Sequence, residues 1–227
     1  MDGRQVRSSD SPIVRIDLIW EDIQRKRTKG VMGVQAIVDL AESNGGLVTT
    51  AQVVGAGIPR ARISDMVKTG DLERVQRGVY CLAGAWEDEF LATQLRFPKG
   101  ILSDGTALYL HGYADRVPFQ LTMTFPRSYG ATKAREAGIE VRTCADEVLG
   151  LGLTAIRTPY GNEVSAYDLE RTLCDIVRGR RVVDVQVVNP AMKQYARSGG
   201  KDVQKLLDYA QALGVEKKIR NYLEVLL

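Results

Sequence analysis

The chain has 227 residues, 44% hydrophobic and 26% charged, within the range of globular proteins and enough to bury a core without staples. Its net charge of +3 is unevenly spread: residues 1–33 carry seven Lys/Arg against five acids, 34–82 five against five, 83–177 nine against thirteen, and 178–227 ten against five. Cys81, Cys144 and Cys174 are odd in number, far apart and without a Cys-x-x-Cys pair, nothing resembles a signal peptide, and no apolar run reaches the roughly 18–20 residues of a membrane span; the composition therefore excludes a disulfide framework and points to a soluble, cytoplasmic protein with reduced thiols.

Residues 1–33 read as an N-terminal extension. Its start is polar. RIDLIWEDIQRKRTKG then sets Ile16, Ile19, Trp20 and Ile23 at helical spacing, a short amphipathic helix that ends in Arg25, Lys26, Arg27 and Lys29. That basic tract is either a solvated helix end or an arm touching phosphates or a partner.

From Val34 the apolar positions 34, 37, 38, 40 and 41 mark a helical face, closed by Asn44-Gly45-Gly46. Thr49 or Thr50 caps a short second helix expected to bury Val53 and Val54. Ile58-Pro59 opens a third, with Ile63, Met66 and Val67 as its inner stripe and Gly70 as its stop. LERV, a turn at Gln76-Arg77-Gly78 and VYCL then read as two strands.

Three helices followed by a strand, a basic turn and a strand are the order of a winged helix-turn-helix, placed at residues 34–84. Residues 59–69 are the predicted recognition helix and 73–82 the wing. If Ile63, Met66 and Val67 face inward, Ser64 and Lys68 face outward with Ala61 and Asp65, flanked by Arg60 and Arg62. Arg60, Arg62, Ser64 and Lys68 on the helix, with Gln76 and Arg77 on the wing, are thus the candidate contacts to double-stranded DNA. The segment has no net charge, so a protein-interaction module is the competing reading.

Residues 85–227 read as a mixed α+β domain with a helical C-terminal tail. Residues 85–97 form a helix burying Phe90, Leu91 and Leu95. ILSDGTALYLHGY is a short strand, a Ser-Asp-Gly turn and a helix running to Gly112. QLTMTFP and IEVRT alternate as strands, and LTAIRTPYGNEVSAY suggests a hairpin. SAYDLERTLCDIVR is a helix with Leu169, Leu173, Ile176 and Val177 on one face, and Ser165 with Asp168 resembles a capping box. After a basic turn, three helices close the chain.

The series TTAQVVGAGIPRARISDMVKTGDLERVQRGVY, ILSDGTALYLHGY, QLTMTFP, VSAYDLERTLCDIVRG and KDVQKLLDYAQALGVEKKIRNYLEVLL resembles the AbiEi-type antitoxin and transcriptional regulator family of bacterial type IV toxin–antitoxin systems, over roughly residues 34 to 227. The resemblance implies an N-terminal winged helix that represses its own operon from an operator, probed as inverted repeats by two copies. It implies a larger C-terminal domain that carries antitoxin activity and helps in repression. The implied partner is a nucleotidyltransferase-like toxin, opposed with or without a stable complex.

No catalytic residue, metal or cofactor is expected. His111 is the sole histidine, so a zinc site lacks ligands, and Ser103, Asp104 and His111 are near in sequence only. Gly45-Gly46 is followed by LVTT rather than by the spaced acids of a nucleotidyltransferase, and Glu87-Asp88-Glu89 opens a helix, where acids suit the dipole. Glu140-Val-Arg142 is a near miss to the Glu-x-Lys of a metal-dependent nuclease, the remaining enzymatic alternative. Glu216-Lys217-Lys218 has the letters but sits on a helix. Asp168, Glu170, Arg171 and Asp175 form a charged helix face that reads either as an internal ion-pair network or as a toxin contact. Lys193, Arg197, Lys201, Lys205, Lys217, Lys218 and Arg220 read as a solvated face or as an added nucleic-acid footprint.

Overall fold

A computed structural model describes residues 32–178 and 185–226, and the chain divides between Ala85 and Trp86 into two compact units. The amphipathic helix and basic tract read within residues 1–31, and the basic turn after residue 178, lie outside the described residues.

In the first unit, α1 (residues 32–42) buries Ile37 and Ala41. The chain leaves it through Gly45 and Gly46, at φ 64° and 82°, with the Gly46 N–H donating to the Ala41 carbonyl at 2.8 Å. β1 (Leu47–Thr49) follows directly and ends in the cap of α2 (Thr50–Gly55). Thr49 Oγ1 accepts from the Gln52 N–H at 3.1 Å, and Gln52 Oε1 accepts from the Thr49 N–H at 2.8 Å, a reciprocal capping box. α3 (Ala61–Thr69) buries Ile63 and Met66 and stops at Gly70, whose φ of 83° needs a residue without a Cβ.

β2 (Leu72–Gln76) and β3 (Val79–Leu82) pair antiparallel around Arg77-Gly78, with a bulge between Arg74 and Gln76. β1 pairs antiparallel with the other edge of β3, giving the sheet order β1-β3-β2. Ile37, Val48, Val53, Ile58, Ile63, Met66 and Leu72 form one core. This is a winged helix-turn-helix.

Three details differ from the sequence expectation. α3 starts at Ala61, because Arg62 N–H bonds the Pro59 carbonyl at 3.0 Å and Ile63 N–H bonds the Arg60 carbonyl at 3.2 Å, a tight turn before the helix proper. Val54 is 53% exposed and Val67 37% exposed. Each follows a buried neighbour, Val53 or Met66, and adjacent helical residues lie about 100° apart, so a narrow inner stripe holds only one of the two.

The second unit is built on a five-stranded mixed sheet of order β6-β5-β4-β8-β7. Its elements in chain order are α4 (Glu89–Arg96), β4 (Ile101–Leu102), α5 (Asp104–Leu110), β5 (Thr122–Pro126), α6 (Thr132–Glu136), β6 (Glu140–Cys144), α7 (Asp146–Leu149), β7 (Leu153–Arg157), β8 (Glu163–Tyr167) and α8 (Leu169–Arg178). α9 (Val185–Arg197), α10 (Val203–Ala212) and α11 (Glu216–Leu226) complete the tail. β4 runs parallel to β8 and antiparallel to β5, β5 runs parallel to β6, and β7–β8 is the expected hairpin. α8 packs against α5 and the tail helices through Leu108, Leu173, Ile176, Met192, Tyr195 and Leu206.

Asp88 shows why an acid opens α4. It is fully buried, and its Oδ1 accepts from the Phe90 and Leu91 N–H groups at 3.0 and 3.1 Å. Its Oδ2 accepts from Thr158 Oγ1 and Asn162 Nδ2 at 2.5 and 2.9 Å, so one carboxylate caps a helix and clasps the β7–β8 turn. The Ser165 capping box does not form. Ser165 lies in β8, and Asp168 takes the cap, with Oδ1 accepting from the Arg171 N–H at 2.9 Å. Ser-Asp-Gly is likewise no separate turn: Ser103 is the N-cap of α5 and Asp104 its first residue, at φ 46°. Cys81, Cys144 and Cys174 are all buried thiols. Among the described residues no helix is long and apolar enough to cross a membrane.

Candidate nucleic-acid interface and charged cavity

The inward stripe of α3 fixes its outward face. Arg60, Ser64 and Lys68 are exposed, beside the exposed Ala61 and Asp65. Arg62 is half-buried and leans on its own helix, with Nη1 3.6 Å from Asp65 Oδ2. Positive charge is thus concentrated at the two ends of the exposed face and partly offset in its middle. Arg77 is exposed at the tip of the β2–β3 turn, and Gln76 is half-buried beside it. The tip is held at its root, where the Gly78 carbonyl accepts from the Thr50 N–H at 2.9 Å. Arg74 donates through Nε to the Gln76 carbonyl at 3.4 Å, within the wing. The six candidate DNA contacts therefore all sit on α3 with its leading turn or on the wing, and four of them are exposed.

In the second unit the four candidate residues Asp168, Glu170, Arg171 and Asp175, on α8 and its N-terminal cap, divide between two groups. Asp168 and Glu170 receive Lys205 from α10, with Nζ 2.9 Å from Asp168 Oδ2 and 3.2 Å from Glu170 Oε2. Tyr195 and Tyr209 donate their hydroxyls to Glu170 and Asp168 at 3.1 and 3.3 Å. The carboxylates hold the Lys205 ammonium well above its ordinary range.

Arg171 is 1% exposed and is among the largest fully buried side chains. Nε donates to Asp175 Oδ2 at 2.8 Å, and Nη1 donates to the Val148 and Leu151 carbonyls at 2.7 and 2.8 Å. Its guanidinium lies 4.1 Å from the Tyr167 ring centroid. Gly152 makes room for the stem: at φ 75°, an added Cβ would stand 2.5 Å from Arg171 Cβ. Burial pushes the Asp175 carboxyl up to about 6, against the pull of Arg171.

Asp175 and Arg171 also line a cavity of about 420 Å³ together with Asp104, Arg127, Arg142 and Arg178. Arg142 bridges two carboxylates there, with Nε 2.6 Å from Asp104 Oδ2 and Nη2 3.1 Å from Glu140 Oε1. Burial raises the Asp104 carboxyl although Arg142 opposes it. The near miss to a nuclease motif thus acquires a third member, Asp104, which in the sequence shows only as part of a Ser-Asp-Gly turn. The chain's own guanidinium fills the space between the two carboxylates. Among the described residues no group of three or more His, Cys, Asp or Glu side chains is placed to hold a metal ion.

The triad members have other partners. Ser103 Oγ accepts from Thr124 Oγ1 at 2.9 Å, Asp104 meets Arg142, and His111 Nε2 donates to the Tyr167 carbonyl at 2.8 Å. In the tail, Lys201 and Lys218 bond the Ser198 and Val177 carbonyls, and Arg220 pairs with Glu216 at 2.8 Å, while Lys193, Arg197 and Lys217 are exposed.

Residues 35–83 match the model of a family described as "Transcriptional regulator, AbiEi antitoxin". The match covers the winged helix, a narrower span than the resemblance read along residues 34–227. That family is one of regulators and antitoxins rather than an enzyme class, and it implies dealings with DNA and a toxin in general terms. No curated protein matches the chain. Among solved structures, the crystal structure of the RV2827C protein from Mycobacterium tuberculosis is similar, with a TM-score of 0.54 and 15% identity over 83% of this chain and 79% of that one. At that identity the likeness is one of fold alone.

Proposed function

We propose that the chain is a cytoplasmic antitoxin of a type IV toxin–antitoxin system that represses its own operon through the winged helix. The observation that carries this reading is the exposed outer face of α3, with Arg60, Ser64 and Lys68 on it and Arg77 at the wing tip, inside the span that matches a regulator family. α3 enters the major groove by its N-terminal end, Arg60, Arg62 and Ser64 meet base edges, and Lys68, Gln76 and Arg77 meet the backbone. Two copies bind inverted repeats. Neutralisation of a nucleotidyltransferase-like toxin falls to residues 86–227. There the half-exposed end of the α8–α10 network, Asp168 with Lys205, is the part a partner can reach.

The test is binding of the full chain to the DNA upstream of its own operon across a range of salt. Arg77→Ala weakens binding to all sequences alike and lowers the log–log salt slope by about 1. Arg62→Ala changes which operator variants bind best. If both variants bind the operator and its mutants as the unaltered chain does, the interface is misplaced. Absence of any sequence-specific binding would leave the interaction-module reading instead.

A further inference from the structure

Neither operator binding nor the α8–α10 network uses the cavity enclosed by α5, the β5–β6 edge and α8. Its lining is unusual in composition: four guanidinium groups, from Arg127, Arg142, Arg171 and Arg178, against the carboxylates of Asp104 and Asp175. Two of the four are committed. Arg142 is shared by Asp104 and Glu140, and Arg171 is fixed by Asp175 and two backbone carbonyls. The other two, Arg127 and Arg178, are exposed at the rim and have no ion-pair partner among the described residues. Even with Glu140 counted, positive charge is in excess. Burial also favours the neutral form of both lining aspartates, which widens that excess.

We propose that this cavity is an anion site for a small phosphomonoester, whose phosphate is gripped by Arg127 and Arg178 over a floor charged by Arg142 and Arg171. Guanidinium forks match phosphate oxygens in pairs, and fixed cations in a recess act through a lower effective dielectric than surface lysines do. A cavity of about 420 Å³ is within the range of small-ligand sites and larger than a lone phosphate requires. The Arg142 bridge argues against a divalent cation there, since a guanidinium already neutralises the two nearest carboxylates. Asp104, whose carboxylate makes that bridge, is also a non-glycine residue at φ 46°, a sparsely populated conformation of the kind that collects at binding sites.

The experiment is calorimetric titration of the full chain with two probes, inorganic phosphate and AMP, up to about 10 mM in chloride buffer. Both should bind saturably at one site, and the double variant Arg127→Ala/Arg178→Ala should bind at least about tenfold more weakly. Both side chains are exposed and outside any ion pair among the described residues, so the variant keeps its fold, checked by circular dichroism. A second double variant, Lys193→Ala/Arg197→Ala, removes equal charge elsewhere and should bind normally. The proposal is overturned if neither probe binds, if the rim variant binds like the unaltered chain, or if the distant variant loses as much. The ratio of the two affinities decides whether the ligand carries a nucleoside or is phosphate itself. Failure here leaves the operator reading untouched, because no residue is shared.

Discussion

Replacing Arg171 by Met should open α8 locally, and more at high pH than at low. Methionine restores much of the stem's volume, so the loss is chiefly polar. It leaves the Asp175 carboxylate, 14% exposed, without its cation at 2.8 Å, and it strips the Val148 and Leu151 carbonyls of their donors. Breaking a buried ion pair from one side costs about 3–5 kcal/mol, and unmet carbonyls add to that, so about 4 kcal/mol is the expected scale. The assay is amide hydrogen exchange of peptides from residues 169–178 in the full chain, where about 4 kcal/mol is close to a thousandfold loss of protection. The pH dependence identifies the cause. Asp175 already titrates at about 6 with Arg171 present. Without that cation its folded value moves higher still, and a carboxyl whose folded pKa is raised contributes stability below its unfolded pKa that is lost as pH rises through the folded one. The deficit of the variant therefore shrinks toward pH 5 and grows toward pH 8. A change in protection under about tenfold, or a deficit that does not move with pH, would refute the role given to this pair.

Two further outcomes follow from the same structure. Asp175→Asn removes a carboxyl that moves from 3.8 to about 6 on folding, so the stability of the unaltered chain relative to this variant should fall by roughly 2.4 kcal/mol between pH 4 and 7, measured by urea unfolding at each pH. Thr49→Ala dissolves the capping box of α2 and should lower the stability of the first unit by about 1 kcal/mol, read as faster exchange of the α2 amides with the second unit unchanged.

What the sequence discloses is local. Ile63 and Met66 at helical spacing, a glycine at position 70 and a basic turn around Arg77-Gly78 are each short-range signals, and together they specify α3 and the wing. The same reading overestimates the width of the inner stripe, because Val54 and Val67 are apolar whether or not the core reaches them. β1 has three residues, too few to show a period of two, so LVT passes as a linker and the third strand goes unseen. In the second unit, Asp168 and Arg171 fall on one helix at short spacing, which signals a network, yet Lys205 arrives from another helix and no spacing announces it. The Asp104–Arg142 contact joins residues 38 apart, through a backbone angle that an aspartate seldom adopts.

The two units dispose of charge in opposite ways, and that contrast organises the functional reading. On the winged helix the cations stand in water, where a salt bridge such as Arg62–Asp65 is weak and a polyanion can displace it. Such a surface suits a ligand that is long, repetitive and gripped by many weak contacts, which is what a phosphate backbone offers. In the second unit the cations are folded in with their acids. Arg171 and Arg142 cannot leave Asp175 and Asp104 without exposing buried carboxylates, so they act as fixed charge rather than as mobile grips. A recess with a fixed positive floor and two free guanidinium arms discriminates by shape as well as by charge, since a ligand must present its anion at one point. Under the proposed reading, the first arrangement suits a polymer and the second a small molecule.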